Sequence, residues 1–241
     1  MQYKPTHLVH LAWTATPGTF WDDPANELWR EASTRLIEIA VSAGVQHIIG
    51  MGTSAEYAWT GQVCNEETTP IEPASAYGKA KATLHATARP LCTAASIPLA
   101  WLRLFFPYGP DEPEQKFLSY MIRSAYEKSE IVLKDPNRRL DLIHIDDVIS
   151  AIKSVVEARV DTTVNVAQGR GVRLRDLAEI VVNGVRRGNV RIVEEAPPQP
   201  APDVIATVHR LVSLGWEPVR DLNESVRAMT RSITQLNKDV P

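Results

Sequence analysis

Short apolar runs alternate along this chain with stretches in which apolar residues return every three or four positions, and the two periods separate strand from helix. His7-Leu8-Val9-His10-Leu11-Ala12 predicts a short buried strand. Over residues 27–43, Leu28, Leu36, Ile39 and Ala40 recur at helical spacing, and Gly44 provides a C-terminal stop. A second strand is predicted over 45–50, a helix over 77–95 and a third strand over 97–106, broken by Pro107-Tyr108-Gly109-Pro110. Residues 116–128 pattern as a helix and 140–145 as a strand, with Asp146 and Asp147 placed to cap a helix over 148–158. A strand over 162–167, a helix over 174–187 and a short strand over 190–193 follow. Four prolines within 196–202 predict an extended connector, and 222–236 a last helix. Strands spaced by helices, without internal repeat, define an α/β protein with a parallel sheet.

Composition narrows the function classes. The 241 residues carry 26 Lys+Arg against 29 Asp+Glu, a formal charge of −3, which lacks the basic excess of a nucleic-acid binder. There is no apolar run near the roughly 18 residues of a membrane span and no basic-then-apolar leader, so neither nucleic acid nor membrane is expected as a partner. Cys64 and Cys92, the two cysteines, have no metal-ligand spacing; no metal site is expected, and the thiols suit a reducing cytoplasm.

The chemistry concentrates in Thr53-Ser54-Ala55-Glu56-Tyr57 and Ser75-Ala76-Tyr77-Gly78-Lys79-Ala80-Lys81. Tyr77 and Lys81 lie four apart at the start of a predicted helix, so they share a face. An ammonium beside a phenol favours the phenolate and is expected to lower the Tyr77 pKa into a useful acid/base range. A hydroxyl from Thr53 or Ser54, at the end of the preceding strand, would hydrogen-bond a substrate oxygen next to that phenol. By itself Tyr-x-x-x-Lys is a common spacing; its context is not.

Taken in order, His10-Leu11-Ala12, Thr53, Tyr77 with Lys81, Leu102-Arg103-Leu104-Phe105-Phe106-Pro107-Tyr108-Gly109-Pro110 and Asp141-Leu142-Ile143-His144-Ile145-Asp146-Asp147-Val148 resemble the extended short-chain dehydrogenase/reductase family. The nucleotide-sugar epimerases and dehydratases are the nearest in pattern, and the likeness extends through Asn165-Val166-Ala167-Gln168-Gly169 to Leu214-Gly215-Trp216-Glu217-Pro218. The resemblance implies that Tyr77 is the acid/base residue, Lys81 its electrostatic partner and Thr53 the catalytic hydroxyl. Ser54 falls where dehydratases carry Asp, and Ala55 rather than Glu56 where they carry Glu, which argues against elimination of water. It also implies an incomplete Rossmann-like part over 1–110 and 141–168 and a substrate-binding lobe over 111–140 and 169–241. That lobe would hold a nucleotide diphosphate sugar, with Arg138 and Arg139 on the pyrophosphate. The usual Arg before the Asp of the Asp-x-x-His run is Leu140 here, and Phe106 replaces a substrate-contacting Asn. Ser54, His10, Trp13 and Tyr108 complete the expected substrate contacts. His10 is otherwise a core histidine or a second acid/base group; Trp13, Trp21, Trp29 and Trp59 are expected to pack the core or cover a sheet edge bared by the missing units, with Trp13 or Trp21 filling nicotinamide space as the alternative. A homodimer through the Tyr77–Lys81 helix is implied as well.

The family grips its coenzyme with a Gly-x-x-Gly-x-x-Gly loop after the first strand. Here His10-Leu11-Ala12 matches the family's fourth strand, so two β-α units, roughly 60 residues, are expected to be absent before it. Gly50-Met51-Gly52-Thr53-Ser54-Ala55 imitates a dinucleotide fingerprint, but residues 56–70 do not pattern as the helix it requires. The expectation is therefore lost NAD(P) binding and a coenzyme-independent isomerase or mutase, for instance exchanging pyranose and furanose forms of a nucleotide sugar. The alternatives are an NAD(P)-dependent nucleotide-sugar epimerase or reductase whose coenzyme-binding part is missing or supplied in trans, and a non-catalytic nucleotide-sugar binder.

Overall fold

The computed structural model describes residues 4–185, 189–195 and 197–236. The first half runs β1 (His7–His10), α1 (Ala25–Ser42), β2 (His47–Thr53), α2 (Ala76–Ala94) and β3 (Leu99–Leu104), with a single 3₁₀ turn at Ser54–Glu56. There follow β4 (Phe106–Tyr108), α3 (Phe117–Lys128), β5 (Glu130–Leu133), β6 (Arg139–Leu140), β7 (Leu142–His144), α4 (Ile145–Glu157) and β8 (Thr163–Val166). The chain closes with β9 (Val172–Arg173), α5 (Leu174–Gly184), β10 (Arg191–Glu194), α6 (His209–Ser213) and α7 (Leu222–Leu236).

The main sheet is parallel, in the order β1-β2-β3-β8, and Rossmann-like. Helices cover both faces, which is why β2 and β3 are continuous apolar runs rather than alternating ones. On one face Ile37 and Ala40 of α1 and Leu84, Ala88 and Cys92 of α2 pack on Ile48, Leu99 and Trp101. On the other, Val148, Ala151 and Val155 of α4 pack on Ile49, Leu102 and Val164. A third cluster joins Met121, Leu177, Val181 and Val226 from α3, α5 and α7 with Ile131 and Leu133 of β5.

The packing also settles the glycine fingerprint. Gly50 and Gly52 lie inside β2, and a Cβ on either would collide with the Trp101 indole. They are glycines because a tryptophan crosses the strand, not because a phosphate does.

Several boundaries differ from the sequence pattern for local reasons. The strand predicted over 97–106 splits after Leu104: β3 stays in the main sheet, while β4 pairs with β7. The strand predicted over 140–145 breaks at Asp141, whose buried carboxylate accepts the backbone N–H groups of Gln168, Gly169 and Ala206. Asp146 and Asp147 sit within the first turn of α4, and the cap is His144, whose Nδ1 accepts the Asp146 N–H at 3.1 Å. The helix predicted over 174–187 ends at Gly184; Arg186 and Arg187 lie outside the described residues, as does Ala196 of the connector. β10, predicted over 190–193, lies parallel to β5, a strand that the pattern did not reveal. No helix among the described residues is long and apolar enough to cross a membrane, and no described cluster of His, Cys, Asp and Glu could hold a metal ion. Both cysteines are free and buried.

Candidate active site

Thr53 ends β2 and caps the 3₁₀ turn after it. Its Oγ1 accepts the Ala55 N–H at 3.2 Å, while its own N–H donates to Glu56 Oε1 at 2.9 Å, a reciprocal capping box. Glu56 is fully buried, and its carboxylate also accepts Trp101 Nε1–H at 3.0 Å and Arg103 Nε–H at 2.9 Å. Arg103 in turn lies 4.4 Å over the Tyr57 ring, and the Tyr57 hydroxyl donates to Asn165 at 2.8 Å. Thr53 is thus held by a buried ionic network spanning β2, β3 and β8. In the sequence, Glu56 stands out only as the neighbour of the dehydratase positions at Ser54 and Ala55. A glutamate three residues after a threonine, with an arginine in the next buried strand, was the signal for its positioning role.

Tyr77 enters in the first turn of α2, behind Ser75, whose Oγ accepts the Gly78 N–H at 3.1 Å. Gly78 lets this turn abut the Ser54–Glu56 turn, since a Cβ there would collide with the Ala55 carbonyl. The Tyr77 side chain is partly buried, with the Thr53 hydroxyl near enough to act on its proton affinity. Lys81 follows one helical turn later at 2% exposure, donating from Nζ to the Met51 carbonyl at 2.7 Å and lying 3.9 Å from the Trp13 ring centroid. Thr53, Tyr77 and Lys81 are therefore brought together as expected.

Their proton affinities correct the expectation of a lowered phenol. Burial pushes Tyr77 up to about 12, the Thr53 hydroxyl opposing and the Glu56 charge adding. Burial pushes Lys81 down to about 7, with Glu56 opposing. The ammonium meets a carbonyl and an indole face, and the cost of enclosing charge outweighs the pairing assumed from sequence.

Aromatic rings surround Tyr77. Phe20 at 5.0 Å, Trp21 at 6.0 Å and Trp13 at 6.4 Å between centroids all meet it edge-on. Buried Asn26 fixes their loop: it accepts Trp13 Nε1–H at 2.9 Å and donates to the Phe20 carbonyl at 2.7 Å and the Asp23 carbonyl at 2.9 Å. The Trp21 carbonyl accepts the Tyr77 N–H at 2.9 Å. Trp59, whose Nε1–H donates to the Ser54 carbonyl at 2.8 Å, extends the wall from Trp21 at 6.2 Å to Phe106 at 6.2 Å.

The remaining expected contacts separate. Arg138 lies 5.9 Å over Trp59 and donates from Nε to the Pro202 carbonyl at 3.0 Å. Arg139 points away into an exposed ion pair with Asp203 at 2.8 Å. Ser54 is buried in the turn beside Thr53. His10 ends β1 in a buried position; desolvation lowers its pKa, a backbone hydrogen bond opposes this, and the Lys81 charge lowers it further. Tyr108 packs edge-on against His144 at 5.3 Å, and burial pushes it up to about 12, the nearby Ser225 hydroxyl opposing. None of its contacts among the described residues reaches Thr53, Tyr77 or Lys81.

A parallel α/β sheet with a hydroxyl at the carboxyl end of one strand and a Tyr–Lys pair on the next helix defines a Rossmann-like protein of the short-chain dehydrogenase/reductase type. The chain belongs to the NAD dependent epimerase/dehydratase family, which it matches over residues 1–167. It is 27% identical to CDP-abequose synthase of Salmonella typhimurium over 141 residues, 55% of this chain and 47% of that one. It is 28% identical over 215 residues to dTDP-6-deoxy-L-talose 4-dehydrogenase (NAD(P)(+)) of Kitasatospora kifunensis, 81% of this chain and 65% of that one. The fold superposes on UDP-glucose 4-epimerase of Thermotoga maritima, solved with UDP-glucose, with a TM-score of 0.87, 21% identity and coverage of 99% of this chain and 80% of that one. The chain spans between 40% and 65% of the length of the curated relatives it matches.

These findings overturn the expectation of a protein without coenzyme: the family is NAD-dependent, and solved proteins of the same fold hold NAD or NADPH. The residues present fit the reacting end of such a coenzyme. Of the Lys81 ammonium's three protons, the described residues engage one with the Met51 carbonyl, while the Trp13 face covers it; with Tyr77 one helical turn earlier, this donor set suits a ribose diol. The reading that excluded NAD(P) rested on the glycine-rich loop, which bears only on the pyrophosphate end.

Proposed function

We propose that this chain carries the acid/base and sugar-binding part of an NAD(P)-dependent nucleotide-sugar epimerase or reductase, with the coenzyme's phosphate loop supplied from outside these 241 residues. The observation that carries this reading is the grouping of Thr53 at the end of β2, Tyr77 in the first turn of α2 and Lys81 one turn further on, in a chain of an NAD-dependent family. The nucleotide diphosphate sugar lies between the sheet and the lobe whose described residues are 111–140, 169–185, 189–195 and 197–236. Bound NAD(P) supplies hydride exchange at a sugar carbon.

The chain's own residues move the proton. Tyr77, protonated at rest because burial raises its pKa, gives its proton to the sugar oxygen as a carbonyl becomes an alcohol, or receives it in the reverse direction. Thr53 accepts or donates a hydrogen bond at the same oxygen and orients it, and Glu56 holds Thr53 in place. Lys81 titrates near neutrality, so arrival of a polyanionic nucleotide favours its charged form, which stabilises the phenolate that Tyr77 becomes. Arg138, over Trp59, meets the diphosphate. The trio does not support water elimination, because the dehydratase carboxylate positions are Ser54 and Ala55.

The same reading includes a homodimer, supported by an apolar strip of Leu28, Leu36 and Ile39 exposed along α1; sedimentation of the purified protein tests it. The function is tested by conversion of UDP-, dTDP-, CDP- and GDP-hexoses by the protein isolated from its source cells, with and without NAD(P). Conversion should require NAD(P) and fall at least about 100-fold in Tyr77→Phe, with sugar-nucleotide binding retained. Conversion without bound or added coenzyme, or a fully active Tyr77→Phe, refutes the proposal.

A further inference from the structure

The wall between the reacting hydroxyl and the phosphate-seeking guanidinium is made of rings. From Tyr77 it passes to Trp21 at 6.0 Å, from Trp21 to Trp59 at 6.2 Å, and from Trp59 to Arg138 at 5.9 Å, with Phe106 beside Trp59 at 6.2 Å. Each spacing is that of directly contacting aromatic groups. Part of the wall is fixed before any ligand arrives: the Trp59 ring is tied through Nε1–H to the Ser54 carbonyl, and the Trp21 backbone carbonyl accepts the Tyr77 N–H. Arg138 has no ion pair within 4 Å among the described residues, although the Asp135 and Asp203 charges act on it, and its Nε–H is engaged by the Pro202 carbonyl. The polar groups therefore sit at the two ends, Thr53 and Tyr77 at one and Arg138 at the other.

A sugar ring whose reacting hydroxyl is at Tyr77 and whose phosphate is at Arg138 lies along Trp21, Trp59 and Phe106. A hydroxyl pressed against such a wall loses water and finds no partner. A methyl group in the same place gains contact instead, and the methyl at C6 of a 6-deoxyhexose is the largest apolar group a hexose presents. Resting on the nucleotide-sugar reading above, we infer that the wall formed by Trp21, Trp59 and Phe106 selects a nucleotide-linked 6-deoxyhexose over its 6-hydroxylated counterpart. An apolar pocket rejects an added hydroxyl by no more than about 100-fold, so the preference lies between tenfold and about that limit.

The test is calorimetric binding of matched pairs, glucose and 6-deoxyglucose each linked to UDP, dTDP, CDP and GDP, to the intact protein. The deoxy member should bind at least tenfold tighter on the preferred nucleotide. Trp59→Ala should reduce that ratio to below about twofold. Phe106→Asn, which supplies a partner for the hydroxyl, should narrow it by tightening the glucose member, and this variant decides the matter if Trp59→Ala fails to fold by circular dichroism. Equal binding of the two members, tighter binding of glucose, or a ratio unchanged in the folded variants overturns the inference while leaving the nucleotide-sugar reading standing. Binding of no pair on any nucleotide overturns both.

Discussion

Glu56→Gln isolates the buried network that holds Thr53. The wild-type carboxylate and the Arg103 guanidinium are 0% and 5% exposed at 2.9 Å, so neither can turn to water when the other is changed. Both carboxylate oxygens are committed as acceptors: Oε1 takes the Thr53 N–H and Trp101 Nε1–H, and Oε2 takes Arg103 Nε–H and shares the Trp101 proton at 3.1 Å. Glutamine has the same shape, yet either amide orientation turns an NH₂ group toward a donor. The substitution thus leaves one buried donor unmatched and the Arg103 charge without its counter-ion. Breaking a buried pair in this way costs about 3–5 kcal/mol. For a chain of this size about 1 kcal/mol moves the midpoint by about 2–4 °C, so melting should fall by about 6–20 °C. Urea denaturation of wild type, Glu56→Gln, Arg103→Met and the double variant measures the cost and the coupling. The double variant should lose at least about 1 kcal/mol less than the sum of the singles. A Glu56→Gln cost below about 1 kcal/mol, or strict additivity, refutes the assignment of this pair as the anchor of the Thr53 turn.

Lys81 carries a pH signature. Its folded pKa is depressed to about 7, against an ordinary 10.5, so between these values the unfolded chain binds the extra proton and stability rises with pH. The cost of enclosing its charge is full below about pH 7 and gone above pH 10.5; relative to Lys81→Met, the wild type should gain stability steadily across that window, as followed by denaturant midpoints, and a flat difference would contradict it. Gly78→Ala forces a methyl against the Ala55 carbonyl and should cost about 1–3 kcal/mol by overpacking while lowering turnover through displacement of Tyr77 from Thr53. Unchanged melting and rate constants would exclude that close approach.

The helices were readable because each keeps one apolar face toward a single partner: α7 spans the predicted 222–236, and α1 and α2 lie within two residues of their predicted bounds. The strands of the main sheet were readable as continuous apolar runs for the same reason. What the pattern missed was short structure whose partner is remote in sequence. β5 exists because β10 lies beside it, and the break at Asp141 exists because three distant N–H groups converge on its carboxylate. The trio Thr53, Tyr77 and Lys81 was legible from spacing and order. Glu56 was not, since its partners Trp101 and Arg103 come from a strand more than forty residues on and meet it only when β2 and β3 pair.

By itself, then, the sequence determined the α/β class, the parallel sheet and the Tyr77–Lys81 spacing, because period and local spacing are properties of adjacent residues; Thr53 was joined to that pair by family resemblance. Tertiary structure alone decided the direction of the pKa shifts, since enclosure of a charge depends on everything packed around it. It likewise separated Arg138 from Arg139, neighbours in the chain that face different surroundings. Finally, it turned scattered aromatic residues at 21, 59 and 106 into one wall beside Tyr77, an arrangement that exists only once the loops carrying them are folded against each other.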